Sequence, residues 1–294
     1  MGTKVDIALA VLNGAVGDYL SRTDNALATP MDCLDLGRGK VSSRAVVLIH
    51  GLMNTEAVWS FPDGQDYGSM LARDFGLTPR YVRYNTGLAI SENGAALSRT
   101  LDGLVASWPV PLEELLLLGH SMGGLVARAA CHVASLEAGS RWLPLVRRAI
   151  YVGTPHRGAP MERVGRVVAK VLSTIDDPVT RLIGEIANLR SDGIKDLGDA
   201  DLRLEDRARR TDSISLRDAR HPVPLLPSIR HLLVAGTISN EPWVSALFGD
   251  TIVPVPSATF GLLTAKILPG VLHVPLAHDL QVYAALEAWC AETA

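Results

Sequence analysis

Apolar positions along this chain follow two rhythms. Short runs rich in leucine and β-branched residues fall at 45–49, 81–84, 115–118, 149–152, 232–235 and 267–274. They are nearly continuous rather than alternating, as strands covered on both faces should be. Elsewhere the spacing is helical. Leu97, Leu101, Leu104 and Val105 share one helix face, and Val282, Leu286, Trp289 and Cys290 mark a closing helix packed on the sheet. Strand-like and helix-like segments alternate, which predicts an α/β fold with a mostly parallel central sheet and helices on both faces.

The rhythm breaks once. After Gly153-Thr154-Pro155, roughly 75 residues pass before the run at 232, far beyond an ordinary connection. The stretch holds one helical pattern (Val164, Val167, Val168, Val171, Leu172) and a second around Leu182, Ile186 and Leu189. It then turns arginine-rich from 199 to 220 and proline-rich from 221 to 227. An inserted helical cap or lid accounts for its length; surface decoration is the plainer alternative. No internal repeat or long low-complexity segment accompanies it.

The N-terminus imitates a signal peptide, with Lys4, an apolar stretch from Val5 to Leu20, and Ala26-Leu27-Ala28. Asp6, Asn13 and Asp18 interrupt that stretch, which a signal sequence would keep clean. The expectation is therefore a surface-packed amphipathic helix with Ile7, Val11 and Ala15 along one face. Cys33, Cys131 and Cys290 are odd in number and far apart, with neither zinc spacing nor a disulfide framework. Together these features suit a reducing cytoplasm.

Composition narrows the classes further. A chain of 294 residues with 48% hydrophobic and 20% charged content has ample core for one large α/β domain with insertions, or for two small domains. A formal net charge of −3, without a basic patch interleaved with aromatics, gives no footing for nucleic acid. No apolar run approaches the roughly 20 residues that span a bilayer.

The chemistry enters at Gly119-His120-Ser121-Met122-Gly123. This is the Gly-x-Ser-x-Gly spacing of a serine-hydrolase nucleophile elbow, where a tight strand-to-helix turn exposes the serine hydroxyl. Its context fits, because 115–118 is strand-like and 124–130 is helix-like. A serine hydroxyl needs an adjacent base, and that base needs an orienting carboxylate. In α/β-hydrolases the chain order is serine, acid, histidine.

Of the eight histidines, His278 fits best, in Pro275-Leu276-Ala277-His278-Asp279 between the last strand-like run and the closing helix. His273 lies inside that run and reads as a packed strand residue. His50 and His120 belong to motif backbones, and His156 comes too early in the order. His132, His221 and His231 have no motif around them. For the acid, Asp250 in Phe248-Gly249-Asp250-Thr251 is favoured, Glu241 is the runner-up, and Asp279 sits too close to the histidine to reach its ring. An oxyanion hole needs two backbone N–H groups. Met122 follows the serine, and Leu52 lies in His50-Gly51-Leu52-Met53 after an early strand.

In this order, His50-Gly51-Leu52, Gly119-His120-Ser121-Met122-Gly123-Gly124, Gly153-Thr154-Pro155-His156-Arg157-Gly158, Gly249-Asp250 and His278 resemble bacterial α/β-hydrolases of the lipase/esterase group. The likeness looks closest to the branch similar to GPI-inositol deacylases and triacylglycerol lipases. It spans most of 45–289 and implies carboxylic-ester hydrolysis with no metal and no organic cofactor.

The organisation expected is an N-terminal helical segment (1–40), an α/β-hydrolase core (41–155 and 229–294) and the 156–228 insertion as cap. The expected function is a serine carboxylesterase acting on short- to medium-chain acyl groups, with Ser121, Asp250 and His278 as triad and Leu52 and Met122 as oxyanion donors. Met53 and Val164 are candidate pocket lining, while Trp59 reads as core. The partner is a small-molecule ester or lipid. An interfacially activated lipase and a catalytically silent binding protein of the same fold are the alternatives, and acyltransferase, amidase or thioesterase activity shares the acyl-enzyme chemistry.

Overall fold

Alternate residues of a strand face opposite sides of its sheet, so a continuous apolar run needs cover on both. In a computed structural model, which describes residues 4–158, 191–199, 202–203, 223–238, 250, 253–259 and 265–292, these runs lie in one sheet. From edge to edge it runs Asp32–Leu34 (β1), Thr78–Arg83 (β3), Arg44–Ile49 (β2), Glu114–His120 (β4), Val146–Val152 (β5), Arg230–Thr237 (β6) and Lys266–Pro269 (β7). The β1–β3 pairing is antiparallel and the other described pairings are parallel. The short, half-exposed β1 has too few apolar residues to stand out in the sequence.

Two cores follow from the two-residue period. Val47, Ile49, Leu115 and Leu117 face one side, where they meet Val11, Leu97, Leu101, Leu125 and Val126. Val46, Leu48, Leu116 and Leu118 face the other, against Met70, Leu71, Val282, Leu286 and Cys290. The first layer is formed by helices α1 (Lys4–Arg22), α3 (Ile90–Ala106) and α4 (Met122–Leu136), the second by α2 (Tyr67–Phe75) and the closing helix Leu280–Glu292. Each fully buried leucine or valine contributes about 1.5–3 kcal/mol, which makes the sheet a stiff platform. At its floor, Arg44 Nε and Arg148 Nε each donate to the Glu114 carboxylate at 2.7 Å, tying together the starts of β2, β4 and β5.

Three expectations are refined. The 267–274 run is strand only as far as Pro269, because Gly270 turns the chain with a φ of 80°. The N-terminal helix forms, and Val11 and Ala15 are buried, but Ile7 is exposed. Of the 156–228 stretch, the parts described include the helix Asp192–Asp199, bound to the core where Asp196 accepts from Ile90 N–H at 2.9 Å. The helical patterns around Val164 and Leu182 lie outside the described residues. No described helix is long and apolar enough to cross a membrane.

Candidate active site

The carboxyl ends of the parallel strands converge on Ser121. Strand β4 ends at His120, α4 begins at Met122, and Ser121 between them has φ 54° and ψ −125°. This is a left-handed conformation that costs a non-glycine residue about 1–3 kcal/mol and persists only where its surroundings enforce it. They do so by close approach. A Cβ on Gly119 would lie 2.5 Å from Gly124 Cα, and one on Gly123 would lie 2.2 Å from the Ile49 carbonyl oxygen. Strand, turn and helix can be this tight only with glycine at both places.

The histidine that reaches Ser121 is His273. Its Nε2 lies 2.8 Å from Ser121 Oγ, and its Nδ1 lies 2.8 Å from Asp250 Oδ2. A carboxylate only accepts, so Nδ1 carries the proton and Nε2 is the free base that accepts from the serine hydroxyl. Asp250 is fixed in turn, since its Oδ1 accepts from Val253 N–H at 2.7 Å. All three residues are buried.

His278, expected in this role, is elsewhere. Its Nδ1 donates to the Val58 carbonyl at 2.9 Å, and its ring meets Phe61 edge-on. The physical reason is the early end of β7. The loop that follows the last strand starts at Gly270, so His273 occupies it, while Pro275–His278 is already a 3₁₀ turn docked away from the serine. The Pro269-Gly270 pair, a strong turn signal in sequence, would have revealed this. Asp279 Oδ1 accepts from Gln281 N–H and helps start the closing helix; Glu241 lies outside the described residues.

After β2, the loop His50-Gly51-Leu52-Met53 lies beside the elbow, with Gly51 packed on Ser121. Met53 N–H donates to Thr86 Oγ1 at 3.1 Å. Among the described residues, Leu52 N–H and Met122 N–H make no backbone hydrogen bond; Met122 opens a helix, where the first N–H groups lack intrahelical partners. Met53, expected as pocket lining, is buried in the core with its side chain against Gly14 of α1. Thr86 and α1 are supports the sequence did not suggest. Val164 lies outside the described residues, and Trp59 is fully buried core as expected.

Two further imidazoles are sealed in beside the site. Burial pushes His50 down to about 4 and His120 down to about 3, with the neighbouring His273 adding to the effect at His120. Both are therefore neutral near pH 7. Behind the loop after β5, His156 is held well below its usual range by burial and then by the charge of Arg128, which donates to its Nδ1 at 3.1 Å. Among the described residues, no group of three or more His, Cys, Asp or Glu side chains could hold a metal ion.

Against solved structures, the chain superposes on the mature form of a Bacillus licheniformis lipase with a TM-score of 0.55 at 17% identity, over 88% of this chain and 99% of that one. The chain has the α/β-hydrolase fold. The propeptide form of the same lipase gives the same TM-score and identity; there this chain spans 54% of the neighbour's length. Residues 89–202, which include the elbow, match the family model described as PGAP1-like alpha/beta domain. The resemblance read from the motifs is thus borne out. No curated protein gives a significant sequence match to this chain.

Proposed function

We propose that this protein is a serine carboxylic-ester hydrolase in which Ser121, His273 and Asp250 form the triad. The observation that carries the reading is the unbroken chain of two 2.8 Å hydrogen bonds from serine to imidazole to carboxylate. In the first half-reaction Ser121 Oγ attacks the ester carbonyl carbon as its proton passes to His273 Nε2. The carbonyl oxygen becomes an oxyanion received by the N–H groups of Leu52 and Met122, each such donor accounting for about 100-fold or more in rate. Collapse expels the alcohol, which takes the proton from His273, and leaves an acyl-serine. Water then repeats the sequence, so that ester and water give acid and alcohol. Asp250 holds the imidazole in the required tautomer and stabilises its protonated form.

The fold match and the PGAP1-like segment support an ester substrate, without specifying acyl chain or alcohol. We take short- to medium-chain esters as the working class. The test is hydrolysis of aryl esters from two-carbon to sixteen-carbon acyl chains, together with labelling by a fluorophosphonate probe. Labelling and turnover by the wild type, with neither in Ser121→Ala, is the expected result. Absence of labelling in the folded wild type would favour a silent binding protein. A steep rise in rate above the solubility limit of a long-chain ester would favour an interfacial lipase instead.

A further inference from the structure

His120, the residue before the serine, has no part in the chemistry above, yet it is placed at the junction of all three site loops. The residue is 1% exposed. Its Nε2 lies 3.0 Å from the backbone carbonyl oxygen of His273. A carbonyl only accepts, so His120 donates and its proton resides on Nε2. The two imidazole rings are 5.2 Å apart, and the edge of Trp59 closes the other side at 6.1 Å. On the third side, a Cβ on Gly51 would stand 3.4 Å from His120 Nδ1, so the loop bearing Leu52 leans on the same ring.

The bonding of His273 gives this contact its weight. Its segment, 270–274, belongs to no helix or strand. Its N–H donates to the Asp250 carbonyl at 3.2 Å, its Nδ1 to the Asp250 carboxylate, and its Nε2 faces Ser121. The remaining polar group, the carbonyl, is held by His120. Asp250 therefore anchors one side of the residue and His120 the other. Because His120 is also the last residue of β4, its ring links the position of the serine directly to that of its base.

We infer that His120 is a positioning residue that sets the distance between His273 and Ser121 through its hydrogen bond to the His273 carbonyl. The inference rests on the proposed triad. A donor at this point must be neutral, since a positive charge beside His273 would oppose protonation of that ring during attack. The buried imidazole meets the requirement. Among the described residues its bare Nδ1 is buried with no hydrogen-bond partner, a cost of about 1–3 kcal/mol for an unmet polar atom that a purely packing residue would not carry.

The test compares His120→Gln, His120→Asn and His120→Leu in the full-length protein, each checked for cooperative thermal unfolding. Glutamine can carry an amide N–H to the Nε2 position; asparagine is too short to do so, and leucine has no donor. The expected result is kcat within about threefold of wild type for Gln. For Asn and Leu, kcat falls roughly 30-fold or more with KM little changed, and fluorophosphonate labelling slows in parallel. Comparable loss in all three variants would assign His120 to packing and overturn the inference, as would an unimpaired Asn or Leu variant. If Leu does not fold, the Gln–Asn comparison decides alone. A readout independent of turnover is the low-field proton resonance of the His273–Asp250 hydrogen bond. It should stay sharp in Gln and be lost or broadened in Asn, and a sharp signal in Asn overturns the inference even in a protein with no esterase activity. A wild type that neither turns over esters nor labels would instead count against the proposed function.

Discussion

Lowering the pH should destabilise this protein well before its carboxylates protonate, because neutral histidines are sealed around the site. The structure holds His50 down to about 4 and His120 down to about 3, chiefly by burial, while the unfolded chain returns both to about 6.5. Between those values the unfolded state binds more protons than the folded one. Stability therefore rises with pH in this window and is lost as pH falls from about 6.5 toward 4. The slope is about 1.4 kcal/mol per pH unit for each histidine. Over the interval from 7.5 to 5, each site thus loses about 2 kcal/mol, and the two together about 4 kcal/mol. A domain has about 5–15 kcal/mol in total, so the loss is large, and His156, depressed in the same direction, adds to it. Urea unfolding at several pH values between 7.5 and 5 measures this directly. His120→Gln should show a shallower pH dependence, flatter by about 2 kcal/mol across the interval. Unfolding free energies that stay level down to pH 5, or an unchanged slope in His120→Gln, would refute the reasoning.

Two further predictions concern the scaffold. Gly123→Ala places a methyl group 2.2 Å from the Ile49 carbonyl oxygen and 2.4 Å from that of His50. The end of β2 must shift, so Tm should fall by an amount equivalent to about 1–3 kcal/mol and ester hydrolysis should collapse; a variant with wild-type Tm would contradict the packing described. Glu114→Ala removes the carboxylate that accepts from Arg44 and the buried Arg148. Loss of the carboxylate that pairs with this buried guanidinium should cost about 3–5 kcal/mol in urea unfolding, whereas a loss below about 1 kcal/mol would mean the bridge contributes little.

The parts legible in the sequence were those carried by local pattern. Continuous apolar runs such as Leu115–Leu118, short and bounded by turn signals, read as strands buried on both faces, and the glycines around Ser121 signal a steric requirement that the close approach of Gly124 and Ile49 makes concrete. Asp250 could be selected from its loop and its place in the chain order. Hydrophobicity alone extends the last strand through Val274 and so points to His278, whereas Pro269 and Gly270 stop the strand and bring His273 to Ser121. Backbone geometry outweighed side-chain pattern by a few residues, and that margin exchanged one histidine for another. The site's supports were illegible for a different reason. Thr86 bonded to Met53 N–H, Gly14 against the Met53 side chain and His120 beneath His273 are contacts between segments distant in sequence, and no local pattern encodes them.

The central claim is that His273, rather than His278, is the base for Ser121. Steady-state ester hydrolysis by His273→Ala and His278→Ala, both confirmed folded, tests it most directly. Loss of the base should lower kcat about 10³-fold or more in His273→Ala, while His278→Ala, missing only a bond to the Val58 carbonyl, should stay within about tenfold of wild type. Near-complete loss in His278→Ala with activity retained in His273→Ala would contradict the account.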